Sequence, residues 1–227
     1  MIYLHEIIRV VPGREEDYMA SVLSLSFIPD RKRERVGHLG QLGLFRAAEH
    51  SGRWPAVVNV WEHTDWGTLT HALARQFQDT ARDAKMEDWW RANTDLRSGG
   101  HDRVLLPTAY TRDRASLERD GVRGRLFVHE IVKLNLGAVP QYLERLGDVL
   151  PSARALGWEL VGAYRVAWRP REALILWALD EWAALGRLSG ASDAKVRAWN
   201  DHRASVTVDL EEIVLLPGRM NPLRRHE

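Results

Sequence analysis

The chain has 227 residues, of which 45% are hydrophobic and 28% charged, and this composition is typical of a globular protein rather than a fibrous or disordered one. Its 32 Lys and Arg nearly balance 31 Asp and Glu, so no overall field attracts nucleic acid or an anionic membrane, and we expect neither as a partner. The absence of cysteine excludes disulfides, thiol nucleophiles and cysteine-ligated metals.

The first predicted element is a strand over residues 2–11, which are rich in β-forming residues and end at Pro12-Gly13. A helix follows, with Tyr18 and Val22 four residues apart on one face. The charged run at 31–35 is predicted to be the solvated end of this helix. No apolar run approaches the roughly 18 residues of a membrane span, and the opening residues do not resemble a signal peptide. We therefore expect a cytoplasmic protein.

Two further strands, a second helix and a closing strand are predicted next. Residues 42–48 and 55–62 predict strands joined by a turn-rich segment. A helix begins after Asp65, whose side chain is a suitable N-cap. A strand over residues 102–110 then completes the order β-α-β-β-α-β, which is the ferredoxin-like split unit.

The same order then recurs in the second half of the chain. Tyr3-Leu-His-Glu-Ile-Ile-Arg9 returns as Phe127-Val-His-Glu-Ile-Val-Lys133, and Val104-Leu-Leu-Pro107 returns as Val214-Leu-Leu-Pro217. An internal repeat of this length indicates two copies of one structural unit.

The repeat sets the predicted domains and the fold class. We assign residues 1–112 to the first unit, 113–124 to a charged linker without apolar periodicity, 125–220 to the second unit and 221–227 to a tail. The last four residues, 224–227, are expected to fray. A single split unit leaves one face of its sheet bare. Two copies on one chain can bury these faces against each other, which predicts an α+β protein whose tandem ferredoxin-like units close an intramolecular dimeric α+β barrel.

Three segments carry a resemblance to a known family. The opening Ile2–Gly13, the segment Val57–Trp66 and the closing Val104–Pro107 resemble the NIPSNAP family of the dimeric α+β barrel superfamily. The resemblance covers both copies and implies the fold. Relatives across the superfamily include monooxygenases, isomerases, haem enzymes and proteins with no known activity, so the resemblance implies no particular reaction.

Each copy contains a His-Glu pair, His5-Glu6 and His129-Glu130, in its first strand. Adjacent strand residues face opposite sides of a sheet, and the sequence alone allows either side. The resemblance favours Glu6 and Glu130 inside the barrel, because relatives carry polar Glu and Arg at the positions of Leu4 and Glu6. Two carboxylates enclosed there would have a raised pKa suited to a general base; alternatively they accept hydrogen bonds and hold the halves together.

The two histidines are candidates for acid–base work, although a hydrogen-bonded structural role is the simpler interpretation for His5 and His129. No third ligand at a suitable spacing supports a metal site, so we predict none.

Trp61 and Trp177 occupy matching positions in the third strand of each copy. With Asn59 they are predicted to share the interior face with Glu6, while the alternating Val58, Val60, Leu174 and Leu176 suit the face that packs on helices. They would line a pocket for an apolar, planar substrate, or simply fill the barrel.

Arg46 and Arg165 each follow an aromatic residue in matching strands. A guanidinium suits a substrate carboxylate or phenolate, so both are candidate substrate-binding residues. The alternatives are ion pairs with Glu6 or Glu130, or simple exposure to solvent.

Three functions remain open on these observations. The first is an enzyme that binds a small apolar, aromatic or isoprenoid molecule and carries out cofactor-independent proton transfer, as an isomerase, lyase or monooxygenase. The second is a non-catalytic protein that binds such a ligand or haem. The third is a structural pseudo-dimer. Further association, for example a homodimer of pseudo-dimers, would use the outer helices.

Overall fold

The computed structural model describes residues 1–26, 38–77 and 84–225, and these residues form one closed eight-stranded barrel with helices outside it. The strands are β1 (Ile2–Val10), β2 (His38–Ala47), β3 (Ala56–His63), β4 (Arg97–Pro107), β5 (Leu126–Leu134), β6 (Trp158–Val166), β7 (Glu172–Leu179) and β8 (Thr207–Pro217). Their order around the barrel is β1-β3-β2-β8-β5-β7-β6-β4, with every neighbouring pair antiparallel. The charged run at 31–35 lies outside the described residues.

Helices lie between the strands of each unit and in the linker. They are α1 (Glu15–Ser26), α2 (Trp66–Phe77), α3 (Ala84–Ala92), α4 (Arg114–Arg119), α5 (Val139–Ala155) and α6 (Ala194–Val206). Asp65 caps α2 as predicted, because its Oδ1 accepts a hydrogen bond from the Thr68 backbone N–H at 2.8 Å. No helix in the described part of the chain is long and apolar enough to cross a membrane.

The barrel is built from two four-stranded sheets with the same strand order. The first unit gives β2-β3-β1-β4 and the second gives β6-β7-β5-β8. Two short seams join them, β2 with β8 and β4 with β6. This arrangement confirms the predicted tandem α+β fold, with the sheet partner of each unit supplied by the same chain.

The barrel interior is an apolar core shared by both units. Phe45 and Phe127 pack with ring centroids 4.8 Å apart, and their repeat equivalents Tyr164 and Tyr3 pack at 5.1 Å. Separate apolar clusters lie on the outer face of each sheet, between the strands and the helices. The structure therefore has three apolar layers, one inside the barrel and one under each set of helices.

A glycine repeated in β2 and β6 makes room for these aromatic rings. A Cβ on Gly43 would lie 2.3 Å from the Phe45 ring, and a Cβ on Gly162 would lie 2.1 Å from the Tyr164 hydroxyl. Each glycine also lies at a break in the strand register. The repeated Gly-x-aromatic pattern thus reflects a packing requirement inside the barrel.

The linker and tail are more ordered than the sequence predicts. The linker contains α4, capped by Asp113, and its Leu117 joins the interior core together with Val122. The tail adds Leu223, which is 0% exposed, and Arg224 forms a β-bridge with Gly124. The predicted fraying is therefore wrong for residues up to 225, because these segments cover apolar surface at one end of the barrel.

Candidate functional site

The register of β1 and β5 decides which member of each His-Glu pair faces the barrel interior. His5 and His129 lie inside, 0% exposed and in contact with each other, whereas Glu6 and Glu130 face the helices. The prediction that the glutamates line the interior is therefore wrong. Two facing carboxylates would be costly in this apolar space, while two neutral imidazoles can share a hydrogen bond there.

The two histidines form a contact between the units. Their Nε2 atoms are 2.8 Å apart and their rings are stacked, with centroids 4.8 Å apart and an angle of 8°. Burial lowers the pKa of His5 well below its usual value and that of His129 to about 3, so both rings are neutral at pH 7. One Nε2–H donates to the other Nε2. This geometry makes the pair a packing contact at the centre of the barrel.

The tryptophans and Asn59 lie on the same face as the glutamates, as predicted, but that face is the outer one. Trp61 belongs to the cluster under the first unit's helices and Trp177 to the cluster under the second unit's helices. Val58 and Leu174 are examples of the aliphatic residues that fill the barrel instead. The predicted assignment of these two faces is therefore reversed, because it followed the wrong register of β1.

Glu6 is the centre of a polar site between the first sheet and its helices. Its Oε2 accepts hydrogen bonds from Trp61 Nε1 at 2.7 Å and from Asn59 Nδ2 at 3.2 Å. Tyr18 of α1 lies beside it and is 2% exposed. Burial, and then the charge of Glu6, raises the pKa of the Tyr18 hydroxyl to about 12. Glu6 therefore lies among an indole N–H, an amide and a protonated phenol.

The surroundings of Glu6 raise the pKa of its carboxyl group, which favours proton exchange at this side chain. Burial is the main cause of the raised pKa, and the negative charge of nearby Asp102 raises the pKa further. The hydrogen bond from Trp61 acts in the opposite direction and lowers the pKa. Arg97 lowers the pKa by its charge, but no cation lies within ion-pair distance of Glu6 in the described ranges. Arg97 instead stacks over Trp90, with its guanidinium carbon 3.5 Å from the ring centroid.

The equivalent site in the second unit is neutralised. Arg203 of α6 lies 3.3 Å from a Glu130 carboxylate oxygen and also pairs with Glu212 at 2.5 Å. Burial raises the pKa of Glu130, and the charge of Arg203 opposes this change. Tyr142, the repeat equivalent of Tyr18, is 0% exposed beside this pair. The second carboxylate is thus held in a buried ion pair.

The difference between the units comes from one helix position and from burial. The position that holds Arg203 in the second unit holds Asn93 in the first. Glu130 is 2% exposed, whereas Glu6 is partly exposed. The repeat aligns Tyr18 with Tyr142, and this match points to an equivalent site in each unit. The role of Arg203 has no such signal, because the sequences of the helices before β4 and β8 match only weakly.

The two candidate arginines do not reach the glutamates. Arg46 lies 3.7 Å from Glu16 of α1, and these side chains are 38% and 62% exposed. Arg165 is exposed at the β4–β6 seam. The alternative that these arginines pair with Glu6 or Glu130 is therefore wrong, and their role in substrate binding stays a prediction. No group of three or more metal-ligating side chains occurs among the described residues.

Comparison with protein-family models and with curated proteins gives no match. Solved structures do match. A candidate monooxygenase from Fusobacterium nucleatum has a TM-score of 0.61 and 11% identity, over 99% of this chain and 98% of that chain. An anthrone oxidase-like protein has a TM-score of 0.63 and 6% identity, over 97% and 93%.

The fold is that of the dimeric α+β barrel proteins. NIPSNAP family proteins are also among the matched structures, as the resemblance of the sequence predicts. One from Agrobacterium tumefaciens covers 45% of this chain and 94% of its own, with 22% identity and a TM-score of 0.37. At their identities of 11% and 6%, the two full-length matches establish the dimeric α+β barrel fold and nothing further.

Proposed function

We propose that the first unit binds a small, mostly apolar aromatic molecule between its sheet and helices, and that Glu6 is the general base of a cofactor-independent proton transfer. The observation that supports this proposal is the contrast between Glu6 and Glu130. The second carboxylate is buried and paired with Arg203, while the first is partly exposed and, among the described residues, is held by the neutral donors Trp61 and Asn59.

The surroundings of Glu6 suit this chemistry. Partial desolvation raises the pKa of a carboxyl group and makes its anion a stronger base towards an acidic C–H or O–H of the ligand. Trp61 and Asn59 fix the carboxylate by donating to one of its oxygens, which leaves Oε1 for the substrate proton. Trp61 and Trp89 add aromatic surface for a planar ligand.

The second unit has a different role in this proposal. Its Trp177 is 1% exposed and packs against Trp158 with ring centroids 5.8 Å apart. Its carboxylate is paired, so this unit serves as the sheet partner that completes the barrel. Cofactor-independent isomerase, lyase and monooxygenase reactions on substrates with an acidic C–H can each begin with such a proton transfer. The fold shared with candidate monooxygenases and an anthrone oxidase-like protein makes anthrone a suitable first probe.

The test is catalysed exchange of the acidic C–H protons of anthrone and related aromatic ketones for deuterium in D₂O, followed by NMR, alongside oxygen uptake. Glu6→Gln keeps the shape and the hydrogen bonds but removes the base, so we expect exchange to fall about 10²- to 10⁴-fold while Trp fluorescence still reports binding. Glu130→Gln is the matched control in the second unit and should leave exchange within a few-fold of wild type.

Four results would contradict the proposal. Exchange that survives in Glu6→Gln would make Glu6 structural. Loss of exchange in Glu130→Gln alone would move the site to the second unit. Binding of the probes without exchange in the wild-type protein would favour the non-catalytic binding function, and purification with a haem Soret band would favour the haem-binding one.

A further inference from the structure

One charged side chain lies inside the barrel without a full set of partners. Arg103 of β4 faces the interior directly opposite His5, and its side chain is only 8% exposed. Its Nε donates to Glu172 Oε2 at 3.1 Å, but its Nη1 is buried and has no hydrogen-bond partner within residues 1–26, 38–77 and 84–225. A guanidinium N–H left without an acceptor in a protein interior is costly.

The local charge around Arg103 is positive. Glu172 is shared with Arg169, whose Nη1 donates to both of its carboxylate oxygens at 3.2 and 3.3 Å. Two guanidinium groups therefore face one carboxylate, which leaves one positive charge. The neighbouring Arg53 does not change this balance, because Glu211 accepts both of its hydrogen bonds.

The same region contains further unpaired polar atoms. The Nδ1 atoms of His5 and His129 are buried without a hydrogen-bond partner in the part of the chain that the structure describes. Arg9 and Lys133 occupy interior-facing register positions at this end of their strands and are exposed to solvent, and one carboxylate, that of Asp209, lies opposite Lys133. A negatively charged solute approaching this end of the barrel would meet an excess of cationic groups.

The position is specific to the first unit. The repeat equivalent of Arg103 is Ile213, which is 0% exposed within the same interior core. The second unit thus shows that an aliphatic residue fits this place in the barrel, so packing alone does not require a guanidinium here.

We propose that the barrel interior beside Arg103 binds one small monovalent anion, either chloride or the carboxylate of a small organic acid, as the counterion of this guanidinium. The anion accepts from Nη1 and balances the positive charge that Glu172 cannot neutralise alone. The site is separate from Glu6, which lies on the opposite face of the sheet.

The test is thermal unfolding of the full chain while chloride or formate replaces gluconate, an anion too large for the interior, at constant ionic strength. An anion that binds only the folded state raises the unfolding midpoint in a saturable way. We expect a saturable rise of the unfolding midpoint with chloride, formate or both. If chloride itself binds, the protein should broaden the ³⁵Cl NMR line, and formate should reverse this broadening. If formate raises the unfolding midpoint and chloride does not, the ligand is a carboxylate.

Variants locate the site. Arg103→Lys keeps the charge but loses the planar donor, and we expect about ten- to hundredfold weaker anion binding. Arg91→Lys, on an exposed arginine of α3 that also pairs with a carboxylate, is the control and should bind anions as wild type does. If Arg103→Lys does not fold, the double variant Arg103→Ile with Glu172→Gln, which copies Ile213, should lose the anion effect completely.

Two results would overturn the proposal. An unfolding midpoint that responds equally to chloride, formate and gluconate would mean that water alone serves Arg103. A saturable anion effect that is unchanged in the Arg103 variants would place the anion elsewhere on the protein.

Discussion

The stacked pair of His5 and His129 should make stability depend on pH. Burial lowers both pKa values in the folded protein, so the unfolded chain binds more protons below its own histidine pKa of about 6.5. Stability from the pair is therefore complete above that pH. This contribution to stability decreases as the pH falls towards about 3, which is the pKa of His129 in the folded protein. The decrease is at most about 1.4 kcal/mol per pH unit for each proton that the unfolded chain binds in excess.

Urea unfolding at pH 7 and pH 5 measures this effect. The double variant His5→Leu with His129→Leu keeps the centre of the barrel filled and removes both titrating groups. We expect it to lose less stability than wild type between these pH values. Equal losses in the two proteins would show that the pair does not control acid stability.

Arg203 should be required for stability because it neutralises a buried carboxylate. Removing one partner of such a pair leaves an uncompensated charge, so Arg203→Asn, which copies Asn93 of the first unit, should cost about 3–5 kcal/mol of unfolding free energy. Adding Glu130→Gln should recover most of the loss. An Arg203→Asn protein as stable as wild type would show that Glu130 is not held by this pair.

At the scale of elements, α4 closes one end of the barrel through a single apolar side chain. Leu117 is 0% exposed and belongs to the interior core, so Leu117→Ala should cost about 2–5 kcal/mol in urea unfolding. Leu136→Ala is the matched control, because Leu136 is 79% exposed and should change stability by less than about 0.5 kcal/mol. Similar effects of the two substitutions would mean that the linker does not contribute to the core.

The elements also show which parts of the structure the sequence can predict. The repeated strands follow from Val104-Leu-Leu-Pro107 and its copy, and the N-cap Asp65 from its position before an apolar pattern. Helix α4 has only six residues and one buried side chain, so it gives no periodic signal. Its order comes from contact with the barrel end, which a linear pattern does not contain.

The sequence predicts that three residues of the candidate site share one face of the sheet, but it assigns that face to the barrel interior instead of the helix side. Glu6, Asn59 and Trp61 were expected on one face, and the register confirms that they share it. Both faces of β1 carry apolar residues and one polar residue, so alternation cannot tell the barrel interior from the helix side. The deciding facts are the contact of His5 with His129 and the packing of Tyr18 near Glu6, which depend on tertiary structure.

At the scale of the whole molecule, each unit depends on the other to cover the edges and the inner face of its sheet. β2 pairs with β8 and β4 with β6, and the interior core contains residues from both units. Residues 1–112 expressed alone should therefore form a homodimer or aggregate, since an exposed apolar sheet face and two open edges favour association. Size-exclusion chromatography with light scattering measures this, and a stable monomer of this segment would contradict the interdependence of the units.

We propose that the chain has one working site, at Glu6, and that its second unit completes the barrel. The most direct test is a crystal structure of the full chain with the tightest binder from a panel of aromatic phenols and anthrone. We predict one ligand per chain, in contact with Trp61 and within hydrogen-bond distance of Glu6, with the ion pair of Glu130 and Arg203 intact. A ligand beside Glu130, in both units, or inside the barrel against His5 would contradict the proposal of a single site at Glu6.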